Sequence, residues 1–183
     1  SHRTYGEAFY ETLIGVERSS GYRDEIRLQI SERLLLGLCL GAGSRVDVRG
    51  QVRTYNEETD GRSKLNIVVF AREISEIPED EQLFYENEIY LDGHICKTPI
   101  RRTSPLGREI CDIMLAVNRM YNKSDYIPCI AWGRNASYAG VLDVGMRLTI
   151  TGRIQSREYR KKDSFGNSTL HTAYEVSVVK IEG

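Results

Sequence analysis

The sequence predicts an all-β chain made of two diverged copies of one five-stranded barrel, the first copy without its opening strand. Three observations carry this. The chain aligns with itself: slid by 101 positions, Gly6, Val16, Arg18, Asp24, Ile26 and Arg33 fall on Gly107, Val117, Arg119, Asp125, Ile127 and Arg134. Slid by 102, Gly43, Arg45 and Gly50 fall on Gly145, Arg147 and Gly152. Within both copies apolar residues alternate with polar ones at the period of a half-buried strand. The five segments so defined are separated by turn residues, with a crossover after the third.

In the second copy the first strand is expected at Tyr90–Cys96 and the second at Ile110–Arg119, with Ile113, Leu115 and Val117 on one face. Asp125–Trp132 is the third, and residues 133–142 form a short helical or irregular crossover. Met146–Tyr159 is a long fourth strand that Gly152 interrupts as a bulge or barrel corner. Thr172–Ile181 is the fifth. This order is that of an OB fold, a five-stranded Greek-key barrel.

The first copy reads as strands at Ala8–Arg18, Asp24–Ile30, Ser44–Tyr55 and Lys64–Glu73. A helix is expected over Ser31–Leu40, with Ser31 as N-cap and Gly41 as its stop. The expected domains are residues 1–73, a diverged OB-like unit; 74–88, an acidic linker; and 89–183, an OB domain. The second copy has about 18 residues before Gly107, where only five precede Gly6, so an upstream continuation or another segment is expected to fill the first barrel.

Charge divides the copies. Residues 1–88 hold 11 Lys/Arg against 17 Asp/Glu, whereas residues 89–183 hold 14 against 9. A basic half suits a polyanion and an acidic half repels one. Cys39, Cys96, Cys111 and Cys129 sit in apolar contexts without C-x-x-C spacing, and read as buried thiols of a cytoplasmic protein. No run approaches the ~18–20 apolar residues of a membrane helix. His2, His94 and His171 are scattered, and no spacing supports a zinc site, a nucleophile with its base, or a phosphate loop. Neither an enzyme nor a cofactor is expected.

The third strand is the most informative segment. In the first copy one face carries Ile26, Leu28 and Ile30, and the other Glu25, Arg27, Gln29 and Ser31. In the second copy the apolar face becomes Ile127, Cys129 and Ala131, while the other becomes Tyr126, Pro128, Ile130 and Trp132. A face that is polar in one repeat is aromatic in the other. Trp132 also reads as a core residue at a strand end; the polar first copy favours the exposed reading. Exposed aromatics ringed by cations suit unpaired nucleic acid, because bases stack on flat rings and Arg or Lys neutralises phosphates. The neighbouring candidates are Arg119, Tyr121, Lys123, Arg134, Arg153, Arg157, Tyr159, Arg160, Lys161, Lys162 and Phe165. Arg101 and Arg102 are weaker candidates in the loop after the first strand.

The runs Leu115-Ala-Val-Asn-Arg119, Ile130-Ala-Trp-Gly-Arg134 and Gly152-Arg-Ile-Gln-Ser-Arg-Glu-Tyr159, in that order, resemble the bacterial single-stranded DNA-binding protein family over roughly residues 89–182. The resemblance implies sequence-independent binding of single-stranded DNA in replication, recombination or repair, in the cytoplasm at the nucleoid. It places base-stacking residues at Tyr121, Tyr126, Trp132 and Tyr159, whose first-copy matches Ser20, Glu25, Ser31 and Glu57 are not aromatic. It implies four barrels per particle, hence a homodimer of this two-barrel chain, with residues 34–40 as one candidate contact. Replication or repair proteins are the expected partners, although the family's acidic tail has no counterpart before Gly183. Two readings compete: an adaptor whose first repeat binds protein, and an RNA-binding barrel.

Overall fold

The structure, a computed structural model, describes residues 2–4, 7–59, 61–119 and 121–182. Gly6, one anchor of the repeat, lies outside them. The chain divides into two compact units, residues 1–55 with 67–86, and residues 56–66 with 87–183. No helix among the described residues is long and apolar enough to cross a membrane.

The first sheet holds β1 (His2–Thr4), β2 (Glu7–Glu17), β3 (Arg23–Ser31), β4 (Val46–Thr59) and β5 (Arg62–Glu76), in the order β1-β2-β3-β5-β4. The second unit holds β6 (Ile89–Ile95), β7 (Ile100–Thr103), β8 (Glu109–Arg119), β9 (Lys123–Trp132), β10 (Arg147–Lys162) and β11 (Ser168–Glu182), with helix α1 (Arg134–Ala139) between β9 and β10. Its sheet order is β6-β10-β11-β9-β8-β7, and β6 also pairs with β8. Five strands therefore close into a ring, and β7 hangs outside it as the hairpin partner of β8. This is the OB-type barrel the sequence predicts.

Closure depends on two glycines. At the β6–β8 seam, where His94 faces Ala116 and Ile95 faces Leu115, a Cβ on Gly93 would lie 2.4 Å from the Ala116 carbonyl oxygen. On β10 a Cβ at Gly152 would lie 2.2 Å from the Ser177 carbonyl oxygen, and the β10–β11 register shifts between Thr151 and Gly152. The bulge read from the sequence is there, and it bends the long strand round a corner of the barrel. Leu91, Ile95, Ile113, Leu115, Ile127, Cys129, Leu148, Ile150, Ile154 and Val176 fill the interior.

The first sheet repeats this plan without closing. β3 pairs with β5 in parallel, as β9 does with β11. Among the described residues no strand bridges β2 and β4, where β6 stands in the second unit. Burial shows the gap. Tyr10 is 41% exposed, whereas Cys111, its repeat equivalent, is 0% exposed. Leu28, Ile30 and Ala71 form one buried cluster, with Ile14, Leu34, Leu35, Val48, Val69 and Ile74 packed partly against them, and Phe9, Ile26, Ile67 and Val68 are buried as well.

Four expectations are corrected here. The helix over residues 31–40 is a single 3-10 turn, Glu32–Leu35. Ser31 does cap it, accepting the Arg33 N–H, but Leu36 turns extended and Gly37 takes φ +81°, so the chain has left the helix by Leu36, well short of Gly41. No helix over residues 34–40 exists to form a dimer contact. Cys39 is exposed because it lies in the loop that follows, and Cys96 is only partly covered; Cys111 and Cys129 are the buried thiols. Residues 74–76 belong to β5, and the stretch after them is pinned, with the Ile77 N–H bonded to the Arg45 carbonyl and the Arg45 guanidinium to the carbonyls of Glu79 and Glu81. Ile130, read as part of an outward face, is 4% exposed, because it sits between Asp112 on β8 and Ser177 on β11 with strands on both sides.

Candidate nucleic-acid interface

Strand register decides which candidate residues share a surface. Side chains of directly paired residues lie on the same side of a sheet. Ile130 on β9 pairs with Ser177 on β11, and Ser177 pairs with Arg153 on β10. The face carrying Tyr126, Pro128, Ile130 and Trp132 is therefore the face carrying Arg153, Arg157, Tyr159 and Lys161. It is the outer face of the closed barrel, because the opposite side chains Ile127, Cys129, Ile154 and Val176 form the core. Arg160 and Lys162 project to the other side of the β10–β11 hairpin. All three basic residues belong to β10 itself, whose pairing runs to Lys162 opposite Ser168.

The aromatics differ in exposure. Tyr121 is 88% exposed and holds φ 65° in the β8–β9 turn, and Tyr126 is 50% exposed on the strand. Trp132 and Tyr159 are half-buried. Trp132 pairs across to Ile110, itself buried, so the Trp132 end of the face is packed while the Tyr126 end is open. Phe165 is 88% exposed at the tip of the hairpin. The tip is a five-residue turn in which the Asp163 carboxylate accepts the N–H groups of Phe165 and Asn167, and Gly166 supplies φ +80°.

The cations also differ. Lys123, Arg134, Arg160, Lys161 and Lys162 are exposed. Arg153 is half-buried, and its Nε has no hydrogen-bond partner among the described residues. Arg157 is exposed and reaches Glu175 at 3.5 Å. Arg119 is engaged: its Nε lies 2.8 Å from a carboxylate oxygen of Asp125, a residue 1% exposed. Arg18 holds the equivalent Asp24 in the first unit, at 2.6 and 2.8 Å. Both copies keep this pair, which in each joins the two strands on either side of a turn. Arg101 and Arg102 are also paired, with Glu109 and Asp112. The Ser137 hydroxyl and, after it, the Arg101 guanidinium hold the Glu109 carboxyl below the usual carboxylate range, and Ser137 thereby ties α1 to β8.

Three residues of this face escaped the sequence reading. Arg108 places its guanidinium over the Trp132 ring, 4.8 Å from the centroid. His171 stacks on Tyr159, with centroids 5.5 Å apart and planes at 25°. Tyr90, opposite Thr151 on the same outer surface, is 66% exposed. Centring the hairpin on its Asp163–Asn167 turn would have set Tyr159 opposite His171 from the sequence alone. Arg108 gave no such signal, since it precedes its strand and meets Trp132 only through the turn that positions it.

A closed OB barrel with rings and cations on one outer face is a binding module, and it defines the class of this chain. Residues 86–182 match the Single-strand binding protein family, more than half of the chain, and the chain belongs to that family. Its relatives include the single-stranded DNA-binding protein of Clostridium tetani, 36% identical over an alignment of 84 residues that covers 42% of this chain and 58% of that protein. Single-stranded DNA-binding protein A of Bacillus subtilis is 32% identical over 42% of this chain and 48% of its own length. The chain thus spans about half the length of the curated relatives it matches. In fold it is similar to the wild-type single-stranded DNA binding protein of Thermus aquaticus, with a TM-score of 0.70 and 21% identity, over 96% of this chain and 79% of that one.

Proposed function

We propose that the second barrel binds single-stranded DNA without sequence preference, and that residues 89–183 are the binding domain. The observation that carries this reading is the register: Tyr126, Trp132 and Tyr159 share one outer face with Arg153, Arg157 and Lys161. Bases stack on the rings, with Tyr121 and Phe165 extending the track at either turn, and the guanidinium and ammonium groups neutralise the phosphates. Lys123, Arg134, Arg160 and Lys162 add charge along the rim. Arg119 acts by holding Asp125, which sets the turn that presents Tyr121. The first unit, with Glu25 and Ser31 where the second has Tyr126 and Trp132, contributes little stacking.

Family membership supports a role in replication, recombination or repair at the nucleoid, and a homodimer that brings four OB units together. The test is titration of the full chain with oligo-dT of graded length, in competition with oligo-rU and at several salt concentrations. Tight binding of oligo-dT that weakens steeply with salt supports the reading. Equal or better binding of oligo-rU would replace it with RNA binding, and no binding of either would end it. Light scattering at micromolar concentration tests the dimer, which a monomer mass would exclude.

A further inference from the structure

We propose that His171 is a nucleic-acid contact in its own right, forming with Tyr159 a two-ring platform for bases and adding a phosphate-binding charge when its imidazole is protonated. This rests on the reading of the second barrel as a single-strand binder.

The two rings belong to different strands and meet by register, since Tyr159 on β10 is the direct partner of His171 on β11. Their planes are 25° apart with centroids at 5.5 Å, an offset stack. A stacked pair leaves one outward face on each ring, and every base has a π-face to lay on it. The pair lies on the same side of the sheet as Arg153, Tyr126 and Trp132, continuing that surface onto the ribbon. Here the ribbon has exposed neighbours on both sides: residues 157, 158 and 160–170 are all exposed.

The charge around His171 favours a polyanion. From β10 it is faced by Arg157, Tyr159 and Lys161; from β11, by Thr169, Ala173 and Glu175. Glu175 is turned toward Arg157, at 3.5 Å. The Thr169 hydroxyl lies 2.8 Å from the His171 Nε2, which fixes the ring's orientation. Protonation would thus place a third cation beside Arg157 and Lys161, at the height of the stacked base. A phosphate within reach would be met from two strands.

The experiment uses the full chain and oligo-dT, with Trp132 fluorescence and anisotropy as readouts. Affinities are measured at about pH 5.5 and about pH 8. Wild type should bind more tightly at the lower pH, with a log-log salt slope steeper by about 0.7, one more single-strand phosphate contact. His171→Phe keeps a ring without a proton. It should match wild type at the higher pH within about twofold and lose the gain at the lower pH. His171→Ala should lose about fivefold or more at both. Equal affinity of His171→Ala and wild type at both pH values overturns the proposal, as does a pH response that survives in His171→Phe. Trp132→Ala separates the underlying reading: if it weakens binding while His171→Ala does not, only the His171 proposal falls. If neither weakens binding, the outer face is not the binding surface.

Discussion

The guanidinium of Arg108 covers one face of the Trp132 ring, 4.8 Å from its centre. The turn that ends at Arg108 is tight: the Arg108 N–H donates to the Ser104 hydroxyl, the Ser104 N–H to the Arg108 carbonyl, and Gly107 takes φ +83°. The turn thus sets the backbone position from which the Arg108 side chain reaches the ring. Trp132 is the chain's single tryptophan, so the emission reports the surroundings of this one ring. Arg108→Ala should change the emission of the DNA-free protein and weaken oligo-dT binding several-fold. Unchanged emission would show that the contact does not persist in solution.

Trp132→Ala and Tyr126→Ala should each weaken oligo-dT binding by ~1–3 kcal/mol. The first-unit equivalents separate binding from stability. Glu25→Ala should leave binding unchanged. Ser31→Ala should spare binding but cost about 1 kcal/mol of stability, because the Ser31 hydroxyl caps the 3-10 turn by accepting the Arg33 N–H. Denaturation midpoints and anisotropy, measured on the same preparations, give both numbers. A loss of affinity with Glu25→Ala equal to that with Tyr126→Ala would make the first unit a binding site.

Asp24 and Asp125 are 0% and 1% exposed, and each is held by an arginine that keeps part of its surface in water. Removing the arginine leaves a buried carboxylate without its counter-charge. Arg18→Met and Arg119→Met should each destabilise by about 2–3 kcal/mol, below the range for fully buried pairs. Arg119→Met should leave the salt slope of DNA binding near wild type. A slope reduced by about 0.7 with no change in stability would instead make Arg119 a phosphate ligand.

The two faces of the hairpin should behave differently. Arg153, Arg157 and Lys161 lie on the side of the stacking residues, and Arg160 and Lys162 on the reverse. Neutralising any one of the first three should reduce the log-log salt slope by about 0.7, whereas Arg160→Gln and Lys162→Gln should reduce it by less. Equal effects from both groups would mean that the strand wraps the ribbon rather than following one face.

Thiol labelling should follow exposure. Cys39 should react first in the native chain and Cys96 more slowly, with Cys111 and Cys129 reacting only on unfolding. Burial pushes the Cys129 thiol up to about 12 from 9.0. The unfolded thiol would lose its proton near the lower value while the folded one keeps it, so this group removes stability as pH rises above about 9 and contributes nothing below it. Cys129→Ala should flatten that alkaline decline, at the cost of a small cavity.

The fold was legible because its signals are local and repeated. Alternation placed each strand of the second barrel within a few residues, and Gly152 announced its own bulge. The helix over residues 31–40 failed because its five leucines, Leu34, Leu35, Leu36, Leu38 and Leu40, fall on either side of Gly37, and a positive-φ glycine there outweighs their propensity. The candidate site drew its rings from the sequence, because Tyr126 and Trp132 stand where the other repeat has Glu25 and Ser31. It was less legible in its cations. Sequence spacing groups Arg160, Lys161 and Lys162 as one basic run, but a strand sends neighbours to opposite sides. Nor does composition tell a free arginine from one already held, as Arg119 is by Asp125.

The unclosed first sheet has a consequence for how this chain breathes. On the edge of β2 turned away from β3, beyond Phe9, and along the outer edge of β4, backbone amides have no cross-strand partner among the described residues. In the second unit the ring leaves few such amides, and its strands can open only together. Deuterium should therefore enter the first sheet from these two margins at the small free energy of local fraying, while the amides of β8, β9 and β11 wait for global unfolding. Heating should melt the molecule in that order, the acidic half first, with the aromatic face of the second barrel still intact.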